Sequence, residues 1–147
     1  MSAQLFTNYD VSKIFIGNNR YKTAEYTNGT GSEVTLAAGT LMGRIFATNK
    51  VTPNVSSATN GSQLPVGVLA DSYVVANGAT VTITMCIGGD IAQEKVTLGG
   101  SDTLATAITL TDSGTDTVGV GTLGDLIVAR TQIYLVAGTE LTGYDNA

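Results

Sequence analysis

Residues 66–87, VGVLADSYVVANGATVTITMCI, place two strand-like runs on either side of Ala76-Asn77-Gly78-Ala79. Asn-Gly reverses a chain readily because both residues accept positive φ at little cost. The second run, 80–87, alternates strictly, with Val81, Ile83, Met85 and Ile87 on one face and Thr82, Thr84 and Cys86 on the other. A period of two predicts a β-hairpin that packs one face on a core and leaves the other solvated or against a neighbour.

Upstream, residues 38–70 read AGTLMGRIFATNKVTPNVSSATNGSQLPVGVLA, two short strand-like runs around a polar, turn-rich excursion. Residues 21–27 (YKTAEYT), 34–36 and 43–47 read as further short strands, separated by the turn signals Asn28-Gly29 and Ala38-Gly39. Strands so close in sequence predict antiparallel pairing. Beyond Gly88 the pattern loosens, and residues 109–121, rich in Thr, Gly, Asp and Ser, predict a long surface loop. Thr122 stands where an N-cap would, ahead of Leu123, Leu126 and Ile127 on one face and Arg130 in the last turn, which predicts a short helix. Residues 133–136 follow as a strand, and the chain ends in a polar tail with Leu141 and Tyr144 as docking points.

The expected fold is therefore all-β, a mainly antiparallel small sandwich or barrel with one short helix near the C-terminus. Residues 1–10, mostly polar with Leu5, Phe6 and Tyr9 interspersed, read as an extended N-terminal arm. Residues 11–147 read as a single β-rich domain. A chain of 147 residues can bury roughly 70% of the surface it exposes when unfolded. With aromatics at 6% and no Trp, that core must come from Val, Ile, Leu and Ala.

Charge and composition exclude several classes of function. A net charge of −5 opposes phosphate binding, which depends on Lys and Arg displacing counterions, so nucleic acid is not expected as a direct partner. Cys86 is the only cysteine, so no intramolecular disulfide can form and the thiol is expected to pack as a small apolar group. The N-terminus lacks a basic stretch followed by an apolar one, and no apolar run approaches the ~18 residues that span a bilayer. Neither secretion nor a membrane partner is expected.

Catalytic and cofactor motifs are equally thin. The chain has no histidine, which removes the usual triads, His-dependent zinc sites and the commonest general base near neutral pH. Asp71, Asp90, Glu94, Asp112 and Asp116 carry no spacing diagnostic of a paired-carboxylate mechanism and read as solvated or turn carboxylates. Gly119-Val120-Gly121-Thr122-Leu123-Gly124 is a literal GxGxxG, but a low-complexity segment precedes it and twenty-three residues follow, too few for the doubly wound sheet that gives the motif meaning. Residues 112–116 lack the repeated acids and terminal Glu of a calcium loop. Asn28-Gly29-Thr30, Asn54-Val55-Ser56 and Asn60-Gly61-Ser62 match glycosylation acceptors but read better as turns. No catalytic residue, cofactor or metal is expected, and function must be sought in surfaces.

Three stretches resemble the bacteriophage head decoration proteins, the lambda-type capsid-stabilising family. Phe6-Thr7-Asn8-Tyr9 is similar to a Phe-Thr-His-Tyr near the start of the family's lambda member, with Asn8 in place of the histidine. Residues 38–70 have the Ala-Gly-Thr-x-x-Gly-Arg opening (Ala38, Gly39, Thr40, Gly43, Arg44) and the closing Val-Gly-Val-Leu-Ala of residues 66–70. The hairpin up to Gly89 matches in pattern more than in identity. Beyond Gly89 the chain departs from the lambda protein, although residues 123–146 look like the ends of related phage structural proteins.

The resemblance implies a homotrimer on the outside of the mature head, assembled in the host cytoplasm and bridging copies of the major capsid protein against the outward pressure of packaged DNA. The arm could add main-chain hydrogen bonds to a capsid strand edge, with Leu5, Phe6, Thr7 and Tyr9 as the capsid-binding residues. The expected trimer contact is the loop around residues 58–65, with Asn60, Gln63, Leu64 and Pro65. Two alternatives stay open: a low-copy virion part such as a head-fibre base or tail-associated protein, and a surface carbohydrate-binding β-domain. The second usually needs exposed aromatics in a groove, a thin signature with six Tyr and no Trp.

Overall fold

The computed structural model describes residues 14–111 and 117–137. The strands are β1 (Phe15–Thr27), β2 (Val34–Leu36), β3 (Leu41–Arg44), β4 (Val51–Pro53), β5 (Pro65–Leu69), β6 (Tyr73–Val75), β7 (Thr80–Ala92), β8 (Ala107–Thr111), β9 (Thr117–Thr122) and β10 (Gln132–Val136). Among the described residues one α-helix, α1 (Leu123–Arg130), precedes β10, and a single 3-10 turn spans Gln93–Lys95.

Long β7 organises the molecule. One edge pairs antiparallel with β1 along its length. The other edge is shared, since β5 pairs at Val68↔Cys86 and Leu69↔Met85, and β10 takes over in parallel from Gln132↔Gly88 to Val136↔Ala92. The main sheet runs β1-β7-β5-β3-β4 with β10 joined to β7. β4 returns beside β1, where Lys50 Nζ donates to Thr27 Oγ1 at 2.8 Å, so the sheet curls into an open barrel. Two ribbons, β2-β6 and β8-β9, stand apart from it.

Strand alternation explains why the core has two halves. Met42, Leu69 and Met85 join Tyr26, Leu36, Val51, Val75 and Ile83 inside the curl. Their immediate neighbours Leu41, Val68 and Cys86 point to the opposite face and pack with Ile91, Ile108 and Ile133 under Leu123, Leu126 and Ile127 of α1. The sheet is thus covered on both faces, by β2-β6 on one and by α1 with β8-β9 on the other.

The all-β, mainly antiparallel reading and the single late helix hold. Strand β2 is 34–36 as read from sequence, and α1 begins where Thr122 Oγ1 accepts the Asp125 N–H at 3.2 Å, a cap that contributes about 1 kcal/mol. Four local expectations are corrected. Residues 109–121 are not one long loop: β8 and β9 pair antiparallel from Ala107↔Thr122 to Thr111↔Thr117. Residues 66–75 are not one arm of a simple hairpin, because β5 pairs with β7 whereas β6 turns away to pair with β2. Strand β7 does not stop at Ile87, and its second face is solvated only at the start: Thr82 is exposed and Thr84 half-buried, whereas Cys86 is fully buried and donates to the Gly88 carbonyl at 3.0 Å. The strand expected at 43–47 is displaced to β3, where Leu41 and Met42 supply the buried side chains.

Asn28 is more than a turn residue. It is fully buried, its Nδ2 donates to the Ser32 carbonyl at 2.7 Å and the Val75 carbonyl at 2.9 Å, and its Oδ1 accepts from Thr30 N and Oγ1. An amide with both ends satisfied ties β1 to β6, and in the folded chain it is closed to any modifying enzyme.

Tyr26 is 4% exposed, and burial raises its phenol above the usual 10.0. A raised folded-state value means that the phenol's contribution to stability is fully present below 10.0 and is lost as pH rises through the folded value. Alkaline titration is expected to show phenolate absorbance from Tyr26 appearing together with loss of the β circular-dichroism signal. Ionisation of every Tyr before any unfolding would contradict that burial.

Candidate functional site

A cleft of about 760 Å³ opens at one mouth of the barrel. β1 contributes Lys22 and Ala24, β3 contributes Arg44, and the end of α1 with the start of β10 contributes Arg130 and Gln132. Its floor is apolar, with Val66, Met85 and Ile87. No described Asp or Glu lines it.

The cations are held by neutral acceptors. Arg130 Nε donates to the Pro65 carbonyl at 3.3 Å, and Arg44 Nη1 reaches Asn49 Oδ1 at 3.4 Å while its guanidinium lies 6.0 Å from the centre of the Phe46 ring. Arg20 Nη2 donates to Gln132 Oε1 on the cleft wall.

The loop expected to carry the trimer contact lies against this cleft. Asn60 is exposed, whereas Gln63 and Leu64 are 3% and 5% exposed and Pro65 is buried. Gln63 Oε1 accepts the Gly61 N–H at 2.9 Å, Asn60 Oδ1 accepts from Ser62 N and Oγ, and Asn54 Nδ2 donates to the Ser62 carbonyl at 2.8 Å. The Phe46 N–H donates to the Asn60 carbonyl at 3.0 Å, and its ring lies over Gly61, 2.6 Å from where a Cβ would stand. Gln63, Leu64 and Pro65 therefore brace the loop from inside, and Asn60 is the member of the four that meets solvent.

The capsid-binding residues Leu5, Phe6, Thr7 and Tyr9 lie outside the described residues. The described chain opens at Ile14, whose carbonyl accepts the Ala92 N–H at 2.8 Å and whose side chain packs against the helix-side core.

The GxGxxG run occupies the end of antiparallel β9 and the start of eight-residue α1, without the buried parallel strand that a dinucleotide turn requires. Among the described residues, no three of His, Cys, Asp and Glu come together as a metal group. Two glycines of residues 38–70 do serve packing. Gly39 has φ +93° and stands where a Cβ would be 2.8 Å from the Lys95 carbonyl oxygen, and a Cβ on Gly43 would overlap the Ser62 carbonyl. The cleft itself escaped the sequence reading because Lys22, Arg44 and Arg130 are far apart in the chain and gather only through the sheet.

The described residues thus form a β-sheet covered on both faces, with braced loops and a charged surface cleft. The family model for bacteriophage lambda head decoration protein D matches residues 13–116, which run from before β1 through β8. The chain belongs to that family and is a structural component of the phage capsid. The match includes residues 38–70 and the following hairpin and continues past Gly89, where the sequence reading has the resemblance to the lambda protein end; residues 6–9 and 123–146 lie outside it. A search of curated proteins found no match.

Proposed function

We propose that the chain is a cement protein, which binds the outer surface of the mature phage head as a homotrimer, bridges copies of the major capsid protein and stabilises the shell against DNA pressure. The observation that carries this reading is the family match over residues 13–116, which takes in every strand of the curled sheet except β10. No catalytic group is needed for such a role. Three copies of a modest contact, joined in one trimer, act at high effective concentration on a shell that presents the contact repeatedly. The arm over residues 1–10 engages the capsid, the domain over 11–147 forms the cap, and the trimer contact runs along the surface that includes Asn60. A bridged site exists only at the spacing of the expanded shell, which makes binding late in assembly.

The test uses expanded, DNA-filled heads that lack the protein. Added chain is expected to bind to saturation and to raise the temperature at which DNA is released. Saturable binding with no change in release temperature would contradict the cement role, and absence of binding would contradict the reading as a whole.

A further inference from the structure

This acidic chain concentrates positive charge in the barrel-mouth cleft. Three of its seven Lys and Arg line the cleft, against twelve Asp and Glu in the chain, none of the described ones among the lining residues. Arg44 and Arg130 have no carboxylate partner among the described residues, and the hydrogen bonds they make use only part of their donor set. Guanidinium groups fixed in place beside an apolar floor match a carboxylate-bearing protein surface with an apolar knob.

The chain carries such a surface itself. On the β2-β6 ribbon, Val74 pairs with Thr35 and is 66% exposed, the most exposed large apolar side chain among the described residues. Glu33 and Asp71, both exposed, flank the two strands. The ribbon is firmly seated: Leu36 and Val75 lie in the inner core, the Thr84 N–H donates to Tyr73 Oη at 2.9 Å, and the Ala38 N–H donates to Ser72 Oγ at 3.0 Å. Val74 and Thr35 face outward from it, with Glu33 just ahead of β2 at one end of the ribbon and Asp71 just ahead of β6 at the other.

We infer that the cleft is the socket for a second copy of this chain, and that the β2-β6 ribbon of that copy seats in it. This rests on the trimer reading and names its contact. Socket and knob are different patches, so the contact is head-to-tail and closes into a ring when the rotation allows. Two copies that each carry a charge of −5 repel in most orientations, and the pairing of Arg44 and Arg130 with the carboxylates of Glu33 and Asp71 selects the orientation in which they attract. The buried loop residues Gln63, Leu64 and Pro65 act through this socket, because the Pro65 carbonyl positions Arg130 and the loop backbone positions Phe46 beneath Arg44.

The experiment is sedimentation equilibrium on the full chain and three variants, with circular dichroism to show that each is folded. R44E/R130E and E33K/D71K are each expected to raise the concentration at which the trimer dissociates by about tenfold or more. The quadruple variant, with both charge sets reversed, is expected to return close to the wild-type value. Raising the salt concentration should weaken wild-type assembly, because partly exposed charges are screened. Unchanged assembly of R44E/R130E would overturn the inference. So would a trimeric R44E/R130E that has lost head binding, which would assign the cleft to the capsid protein, and a quadruple variant that stays dissociated. A wild-type chain that is monomeric throughout would remove the trimer reading itself, and that outcome is visible before any substitution is made.

Discussion

Replacing Gly43 with Ala is expected to cost about 3 kcal/mol or more, enough to leave the chain largely unfolded under mild denaturant. Gly43 sits in β3, paired to Thr52 of β4 and to Pro65 of β5, and an added Cβ would overlap the Ser62 carbonyl and come within 2.8 Å of its Cα. Backbone cannot rotate away as a flexible side chain can. Ser62 is also fixed by its hydrogen bonds to Asn60 and Asn54, so relief in one place breaks contacts in another. Gly29→Ala is the matched control, because nothing lies within 4 Å of its would-be Cβ, and it should stay within about 0.5 kcal/mol of wild type. Urea unfolding followed by circular dichroism separates the two. A Gly43→Ala variant with the wild-type midpoint would contradict the close approach of β3 to the loop.

Removal of residues 1–10 is expected to leave a folded trimer that no longer binds heads. These residues precede Ile14, which the Ala92 N–H and the helix-side core already hold, so no described core contact is lost with them. Leu5, Phe6, Thr7 and Tyr9 would supply the strand addition and side-chain anchoring that the domain does not replace. The readout is head binding against concentration, with sedimentation as the control for assembly. If the truncated protein saturated heads at the same concentration as the full chain, the arm would have no part in binding.

Features governed by local physics were the legible ones. The Thr122 cap and the spacing of Leu123, Leu126 and Ile127 need only the 3.6-residue period of a helix, and α1 follows them closely. Ile83 and Met85 announce a buried strand face by alternation alone, and they are buried. Features set by partners distant in the chain were not legible. Thr and Gly in β8 and β9 suit a loop as well as a ribbon, and only their mutual pairing, with Ile108 and Leu123 buried beneath, makes them strands. β7 continues past Ile87 because Gly88 and Gly89 let β1 bulge against it, with Gly89 at φ +99° close to the Asn18 backbone. The departure of β6 from β5 depends on pairing with β2, more than thirty residues upstream. The cleft is the extreme case, since its cations come from β1, β3 and the end of α1.

Copy number on the virion decides the cement role, and purified source virions give it. Quantitative mass spectrometry of such particles gives the ratio of this chain to the major capsid protein. A ratio near one to one is what a shell-covering cement protein requires. A handful of copies per particle would contradict that account and place the chain at a fibre base or tail.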